Sequence, residues 1–298
     1  MMKAAEGRPT FSAIVVARNE EALILRCLES VAWCAERILI DMDSADRTRQ
    51  LAAPLATQIV DQEWIPHMEF ARNRGIELAT GEWILVLDAD EQVTPQLALE
   101  LRGQAAAADG AAGIWIPRMN RWFGLPLPHV GGFPDYQLRC FRRDAGLYPD
   151  RLHSQPEIRG RHVYLAIAPD VWILHDRDDQ TIGDLVRKWD EYAEKEAGAR
   201  VRDRAAPPGP LAMLWAALSA FSFRFFVAKG YRDGMAGLVL SVLFAFYRFE
   251  VEAKTWEAGG YRREWDARVQ RLGSLPRLVA ALVAHGGRRL WKRRRGAR

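Results

Sequence analysis

Cysteine is scarce in this chain of 298 residues, which contains only Cys27, Cys34 and Cys140. Their number is odd and no two form a C-x-x-C pair, which argues against a disulfide framework or a zinc knuckle. Internal repeats and low-complexity tracts are also missing. The hydrophobic fraction of 49% and the charged fraction of 27% exclude collagen-like, mucin-like and disordered chains. This length predicts one large domain or two small ones.

The N-terminus lacks the features of a signal peptide. Its apolar run covers only residues 11–17, is followed at once by Arg18, Asn19 and Glu20, and has no small-residue cleavage site. Together with the small number of cysteines, this pattern predicts a protein that stays on the cytoplasmic side.

Positive charge is concentrated at the other end of the chain. Residues 288–298, RRLWKRRRGAR, contain seven Arg or Lys residues and no acid, whereas the net charge of the whole chain is only +4. The remaining 287 residues are therefore mildly acidic. Such a basic tail suits an anionic surface, which is either a membrane or a nucleic acid.

Short apolar runs alternate with helical patterns in the first part of the chain. The predicted strands are residues 11–17, 37–41, 58–61 and 83–87, and the predicted helices are residues 20–32, 46–56, 67–79 and 95–108. Thr94 is expected to cap the last of these helices, with Pro95 in its first position. This alternation predicts a parallel sheet covered by helices on both faces.

The pattern changes after residue 113. Residues 114–117, 138–141 and 163–173 are predicted strands between Gly, Pro and charged turns, so antiparallel strands and loops are expected here. A charged helix is predicted over residues 181–204, and the segment AAPPGP at 205–210 marks a boundary.

Two apolar stretches lie beyond that boundary, residues 211–228 and 234–247, and seven of the twelve Phe residues lie between Phe221 and Phe249. A spanning helix needs about 20 apolar residues, so the first stretch is borderline and the second is too short. We favour a helical pair in the membrane interface, because the basic tail would add electrostatic attraction to anionic lipid. A buried helical subdomain and a spanning or re-entrant hairpin remain alternatives.

Three acids in four residues, Asp88-Ala89-Asp90-Glu91, come directly after the most apolar predicted strand. Ligands of open α/β sheets bind at the carboxyl ends of strands. Two carboxylates at i and i+2 are suited to a hard divalent cation such as Mg²⁺, whose shell is completed by substrate phosphates and water. The alternative is a solvated loop that caps the next helix.

Two further strand ends are expected at the same edge, one at Arg18–Glu20 and one at Asp41. A carboxylate at a strand tip can accept the N–H of a uracil or guanine base. Asp43, Ser44 and Asp46 come shortly after the second of these ends, and for Asp46 we favour capping of the next helix.

Longer segments resemble family 2 glycosyltransferases of the GT-A fold. FARNRGIELATGEWILVLDADE (70–91) resembles the central segment of that family, and IVVARNEE (14–21) and ILIDMDSADRT (38–48) resemble its first two strands. The similarity continues through DYQLRCFRR (135–143) and through residues 229–257, which resemble the subgroup that includes bacterial lipopolysaccharide core glucosyltransferases. The resemblance implies an α/β, Rossmann-like mixed sheet in a catalytic domain over residues 1–205. Residues 206–298 would then form a C-terminal helical, membrane-interfacial region.

The resemblance also implies roles for individual residues. Those expected to bind the nucleotide sugar are Ala17, Arg18, Glu20, Asp41, Arg72, Asp88 and Ala89. Asp90 would bind Mg²⁺ or Mn²⁺. His175, at the end of a predicted strand, is a candidate further metal ligand or a structural hydrogen-bonding residue.

Inversion at the anomeric carbon needs one base for the acceptor hydroxyl, and Asp135 is our candidate. A turn aspartate that caps its own backbone is the alternative role, and Asp150 is a weaker candidate base. Arg139, Arg142 and His153 are expected to hold the acceptor. His153 is followed by Ser154 where related sequences have Glu, and Glu157 would have to substitute.

These features predict an inverting, metal-dependent transfer of a sugar from a nucleotide-diphosphate donor, with UDP-sugars favoured. The expected acceptor is lipid-linked or lipopolysaccharide-like, at the cytoplasmic face of a bacterial inner membrane. Three alternatives compete with this function: a nucleotidyltransferase of similar fold, a catalytically silent membrane-binding module and a nucleic-acid binder. The third is disfavoured because no recognition motif accompanies the tail.

Overall fold

The computed structural model describes residues 9–65, 68–107, 110–149, 154–176, 181–203 and 208–259. The basic segment 288–298, the predicted acceptor residue His153 and the alternative base Asp150 lie outside the described residues.

Strands dominate the first 176 residues, and helices dominate the rest of the described chain. The strands are β1 (Phe11–Ala17), β2 (Glu36–Asp41), β3 (Gln58–Asp61), β4 (Trp83–Asp88), β5 (Glu91–Val93), β6 (Ala111–Trp122), β7 (Leu125–Pro126), β8 (Asp135–Arg142), β9 (Gly146–Leu147), β10 (Glu157–Ile158), β11 (Arg161–Tyr164) and β12 (Ile173–Asp176). The helices are α1 (Ile24–Ser30), α2 (Thr48–Ala52), α3 (Met68–Leu78), α4 (Pro95–Ala106), α5 (Ile182–Arg202), α6 (Pro210–Ser222) and α7 (Gly234–Ala258).

Within the described residues, ten of these strands form one mixed sheet in the order β3-β2-β1-β4-β8-β6-β12-β5, with β7 and β11 also paired to β6. The four strands from β3 to β4 are parallel, whereas β8 is antiparallel to both β4 and β6. The expected combination of a parallel half with added antiparallel strands is therefore confirmed. The strands β9 and β10 pair separately.

The core lies on both faces of the parallel half. All seven residues of β1 are buried. Ala13 and Val15 belong to the apolar cluster that includes residues of α1 and α4, whereas Ile14 and Val16 belong to the cluster that includes residues of α3. Alternate residues of a strand point to opposite faces, and a strand covered on both faces therefore has a continuous apolar sequence.

Helix α4 begins as its sequence predicts. The Thr94 hydroxyl accepts the backbone N–H of Leu97 at 3.2 Å, and Pro95 occupies the first turn, where its missing N–H has no intrahelical partner to lose.

The single strand predicted over residues 163–173 is wrong. β11 and β12 are separate strands, and both pair in parallel with β6, β11 near its start and β12 near its end. Asp170 lies between them with a φ of 56°, in the left-handed region that interrupts an extended strand. The break places β12 between β6 and β5, so that His175 pairs with Glu91 in the antiparallel ladder.

The described residues group into two compact units, and both units are discontinuous in sequence. One unit contains residues 1–185 and 224–240, and the other contains residues 186–223 and 241–298, each in so far as they are described. The predicted boundary between residues 205 and 206 stays a prediction.

In the first unit, the segment between α6 and α7 is tied to the loop that precedes β8. The carboxylate of Asp233 is almost fully buried and accepts the backbone N–H groups of His129 and Val130 at 3.1 and 2.7 Å. The Arg224 guanidinium donates to the Val130 carbonyl at 3.0 Å. These contacts anchor the loop that leads to Asp135.

In the second unit, charged and aromatic side chains join α5 to α7. Arg200 pairs with Glu252 at 2.8 Å, and Arg248 pairs with Glu196 at 3.0 Å. The rings of Trp189 and Phe244 pack with their centroids 4.6 Å apart. Helix α7 therefore continues past the uncharged run 234–247, because its charged last turns have partners on α5.

The stretches Pro210–Val227 and Gly230–Ala258 are long and apolar enough to cross a membrane, by length and composition alone. The expectation that the second stretch is too short to span is therefore wrong, since it rested on the uncharged run alone.

Candidate active site

The ends of three parallel strands meet at one edge of the sheet. Ala17, the last residue of β1, pairs with Asp41 of β2, and the preceding Val16 pairs with Asp88 of β4. Two of the predicted donor-binding carboxylates therefore flank the end of β1. This is the edge at which open α/β sheets bind their ligands.

Asp41 is a buried carboxylate with an unused hydrogen-bonding atom. It is only 5% exposed, and its Oδ1 atom is buried without a hydrogen-bond partner among the described residues. Its other oxygen lies 4.0 Å from Nη1 of Arg49, a guanidinium that also pairs with Asp61. Buried polar atoms are normally satisfied, so an unsatisfied acceptor at a strand end is suited to a ligand N–H group.

The loop after β1 is held by the loop after β2. The backbone N–H of Glu20 donates to the Thr48 hydroxyl at 2.7 Å, and Asp46 accepts the Thr48 backbone N–H at 2.9 Å at the start of α2. The guanidinium of Arg18 lies 5.0 Å from the centre of the Trp64 ring. The predicted donor residues Arg18 and Glu20 thus lie directly after β1, on a loop that hydrogen bonds from the loop after β2 hold in place.

Asp88 bridges two arginines. Its Oδ1 accepts from Arg72 and its Oδ2 from Arg139, both at 2.6 Å. Burial by itself would raise the pKa of the Asp88 carboxyl, but the charges and hydrogen bonds of Arg139 and Arg72 hold it well below its ordinary value. Asp88 is therefore ionised at neutral pH and fixed in orientation. The neighbouring Ala89 is buried in the core cluster beneath the turn.

Glu91 connects this pair of arginines to Asp135. Its side chain is fully buried, and its Oε1 accepts from Arg139 at 3.1 Å and from Arg118 at 2.9 Å. Arg118 in turn donates from Nε and Nη2 to Oδ2 of Asp135, at 3.0 and 2.6 Å. Asp135 is 31% exposed and its Oδ1 accepts from Gln137 at 2.8 Å. The candidate base is thus held by an ion pair and is still open to solvent.

Asp90 and His175 lie side by side, although 85 positions separate them in the sequence. Nε2 of His175 is 3.1 Å from Oδ2 of Asp90, and Nδ1 of His175 is 2.8 Å from Oδ1 of Asn120. The Asn120 amide donates to the Gly131 carbonyl at 3.1 Å, which turns its oxygen towards the histidine. The proton on Nδ1 of His175 is therefore directed at Asn120, and Nε2 is the ring nitrogen that faces the Asp90 carboxylate.

That arrangement is suited to a cation. A ligating histidine usually donates its other ring N–H to an oxygen acceptor, as His175 does to Asn120. The Nε2 nitrogen and the Asp90 carboxylate attract each other only through a proton or a cation shared between them, and both atoms are metal-ligating types. Among the described residues, no group of three or more His, Cys, Asp or Glu side chains is placed to hold a metal by itself.

Two of the predicted acceptor residues, Arg139 and Arg142, have other partners in the structure. Arg139 is 6% exposed in its side chain and is committed to Asp88 and Glu91. Arg142 lies at the opposite end of β8 from Asp135, where it pairs in register with Trp83 at the start of β4 and stacks 5.2 Å from that ring. An acceptor role for these two arginines stays a prediction, since Arg139 is occupied by other carboxylates and Arg142 lies seven residues along β8 from Asp135.

Three residues of this site were missed in the sequence. Glu91 belonged to the acidic run but was given no role. Arg118 and Asn120 lie in β6, and nothing in the sequence pattern of that strand marks a charged or amide side chain as part of a site. The signal for Arg118 was a charge that directly follows the apolar run of β6, because a charge in a sheet needs a partner.

The match to a known family agrees with this geometry. The sequence model of glycosyl transferase family 2 matches residues 12–150. Residues 12–150 form a family 2 glycosyltransferase domain. The mixed sheet is accordingly a GT-A-type α/β sheet, as the sequence predicted, and the family 2 domain contains Asp41, Asp88, Asp90 and Asp135.

The chain is also similar to individual proteins. It is 25% identical over 257 residues to the lipopolysaccharide core biosynthesis glycosyltransferase LpsC of Rhizobium meliloti, a match that covers 83% of this chain and 92% of LpsC. It is 40% identical over 94 residues to a TPR repeat-containing protein of Synechococcus elongatus, but the match covers 31% of this chain and only 23% of that protein. The crystal structure of residues 1–349 of S. aureus TarS has 14% identity and a TM-score of 0.41, over 85% of this chain and 93% of that one.

Proposed function

We propose that this protein is an inverting, metal-dependent glycosyltransferase that moves a sugar from a UDP-sugar to a lipid-linked or lipopolysaccharide-type acceptor. The observation that carries the proposal is the meeting of Asp41, Asp88 and the Asp90–His175 pair at one sheet edge of a family 2 domain. Asp135 lies on β8, which is the next strand beyond β4 in the sheet.

The donor base is assigned to the end of β2. The unsatisfied Oδ1 of Asp41 accepts the N3–H of uracil, while Ala17 at the end of β1 and Arg18 and Glu20 on the loop that follows border the same position. Asp88 accepts a ribose hydroxyl through the lone pairs that Arg72 and Arg139 leave free, since a carboxylate has about four acceptor positions.

Asp90 and His175 are the residues that would hold Mg²⁺ or Mn²⁺. The mixed oxygen and nitrogen ligands favour Mn²⁺, because Mg²⁺ prefers oxygen ligands alone. When bound, the ion supplies Lewis-acid stabilisation of the leaving diphosphate. The described protein ligands are too few to fill an octahedral shell, which leaves room for phosphate oxygens and water.

Asp135 is assigned the role of base. Arg118 holds its Oδ2 through two hydrogen bonds and fixes the direction of the carboxylate, and the exposed part of the side chain remains accessible to an acceptor hydroxyl. Removal of the hydroxyl proton as the sugar leaves the diphosphate gives direct displacement with inversion.

The acceptor is assigned to a membrane surface. No residue of α6 is buried, and Leu211, Leu214 and Trp215 are each at least 61% exposed. Exposed apolar surface of this kind marks an interaction site with a membrane or a protein. The similarity to LpsC over most of both chains supports a lipopolysaccharide-type acceptor. We place the protein at the cytoplasmic face of a bacterial inner membrane, docked in the plane of the interface by the helices and by residues 288–298.

The function is tested with a panel of UDP-, GDP- and other nucleotide sugars, with and without Mn²⁺, by thermal shift and by release of the free nucleotide. We expect a UDP-sugar to stabilise the protein only with the metal present.

Asp90→Ala should lower transfer by about 10³-fold or more, because a Lewis-acid metal contributes several kcal/mol. Asp144→Ala, an exposed acid at the opposite edge of the sheet, is the matched control. Release of pyrophosphate from a nucleoside triphosphate would indicate a nucleotidyltransferase instead.

Membrane docking is tested by flotation with phosphatidylcholine vesicles, with and without phosphatidylglycerol. The full chain should float with the anionic vesicles and lose most of this binding when residues 288–298 are removed or when Leu214 and Trp215 are both changed to Ser. Binding to DNA with no flotation would contradict the assignment.

A further inference from the structure

Glu91 is a fully buried acid at the centre of the site, and the proposed mechanism leaves it without a role. Its Oε1 accepts from both Arg118 and Arg139, and its Oε2 accepts the backbone N–H of Asp88 at 3.1 Å. Three donors from three separate strands thus converge on one carboxylate.

These contacts belong to a continuous chain of alternating charges. Its members, in order of contact, are Asp135, Arg118, Glu91, Arg139, Asp88 and Arg72. Arg118 and Arg139 each link two carboxylates, and Arg72 ends the chain. The chain begins at the candidate base on the acceptor side and reaches the candidate ribose ligand on the donor side.

Stability alone gives no reason for such a chain. Burial of a charged cluster is no more stabilising than an apolar core of the same volume, because of the cost of desolvation. What charges of this kind do provide is fixed geometry, since a guanidinium presents its donors in a rigid planar fork. Both outer carboxylates, Asp88 and Asp135, gain a defined orientation from it.

We propose that Glu91 is the positioning residue that sets the base and the donor site relative to one another. It holds Arg118, which orients Asp135, and it holds Arg139, which orients Asp88. Both guanidinium groups donate to the same oxygen atom of Glu91, so a shift of one arginine also moves the acceptor of the other. The inference rests on the proposed function and assigns the residue that aligns its two half-sites.

The decisive variant is Glu91→Gln. A carboxamide has the same shape, but one of its two ends is a donor, so it cannot accept from two arginines and from the Asp88 N–H together. We expect transfer to fall by about 10²-fold, as for a displacement of about 1 Å at a reacting group. We also expect weaker binding of UDP with Mn²⁺, measured by calorimetry, because Asp88 loses its alignment.

Double variants separate positioning from a general loss of stability. On an Asp135→Asn background, Glu91→Gln should lower transfer by no more than about twofold further, because residues that act as a unit are not additive. On an Asp88→Asn background, it should add little to the loss of UDP affinity. Effects that multiply fully on both backgrounds, or wild-type behaviour of Glu91→Gln, would overturn the inference.

Glu36→Gln is the matched control. Glu36 also accepts several hydrogen bonds, from Ser12 and from Thr80, but it lies at the opposite edge of the same sheet. It should lower the melting temperature and leave transfer and UDP affinity unchanged.

Arg118→Lys replaces Glu91→Gln if the latter fails to fold. Lysine keeps the charge but cannot donate to Asp135 and Glu91 at the same time. The Arg118→Lys variant should therefore transfer more slowly, and the same substitution should cause little further loss of transfer on the Asp135→Asn background. Absence of UDP binding and transfer in the wild-type protein would overturn the proposed function and this inference together. Wild-type activity with multiplicative losses would overturn the inference alone.

Discussion

The Nε2 atom of His175 lies 3.1 Å from Oδ2 of Asp90, and the opposite ring nitrogen is held by Asn120. This relationship fixes which nitrogen of the imidazole is free to meet a ligand. It depends on β12, whose insertion between β6 and β5 brings residue 175 beside the acidic turn. The candidate metal pair is therefore built by the antiparallel part of the sheet as much as by the acidic motif.

Asn120 is expected to control metal affinity. Asn120→Ala removes the acceptor that keeps the proton of His175 on Nδ1, and loss of such a partner typically lowers metal affinity by about 10–100-fold. Mn²⁺ binding measured by electron paramagnetic resonance checks this directly, without a turnover assay. His175→Ala should show a loss at least as large, and equal Mn²⁺ affinity in all three proteins would remove His175 from the metal site.

Asp41 is expected to select the base. Uracil has an N–H at the position where cytosine has an acceptor, so the wild-type protein should bind UDP more tightly than CDP. Asp41→Ala should lower UDP affinity by about 10–100-fold, because a hydrogen bond to a charged group contributes about 1.5–3 kcal/mol. CDP affinity should change little. Calorimetry with both nucleotides checks the result, and an equal loss for both would show a structural defect instead.

Asp135→Asn should separate binding from transfer. A general base contributes about 10²–10⁴-fold to the rate, so transfer should fall by that factor. UDP affinity should remain near the wild-type value, because Asp135 contacts Arg118 and Gln137 rather than the strand ends that hold the donor. Transfer and UDP affinity that fall together would place Asp135 in the donor site.

Asp88 should make the stability of the protein sensitive to acid. Its pKa is held below the ordinary value, so its contribution is present above the unfolded-state pKa of about 3.9 and is lost as the pH falls below it. Asp88→Asn removes the carboxylate that pairs with Arg72 and one of the two carboxylates that pair with Arg139, and should lower the free energy of unfolding by about 3–5 kcal/mol at pH 7. Denaturant melts should show this difference shrinking below about pH 4. A difference that stays constant down to about pH 3 would contradict the assigned ion pairs.

The sequence determined the parallel half of the fold and the position of its acidic edge. Buried parallel strands such as Phe11–Ala17 are apolar throughout, and a polar residue directly after them, such as Asp88, must lie at the carboxyl edge. These are local signals, so the strand ends at residues 17, 41 and 88 could be predicted to converge. The family resemblance then supplied a role for each.

Only the tertiary structure decided which charged side chains meet. Arg118 contacts Asp135 across a strand pair, Asn120 contacts His175 over 55 positions, and Arg139 turns inward to Asp88 over 51 positions. No periodicity encodes these contacts, because strand order and register bring together residues that are far apart in the chain. Nearness to Asp135 in the sequence therefore could not show that Arg139 pairs with Asp88 and Glu91, because the partner of a buried charge is set by the folded site.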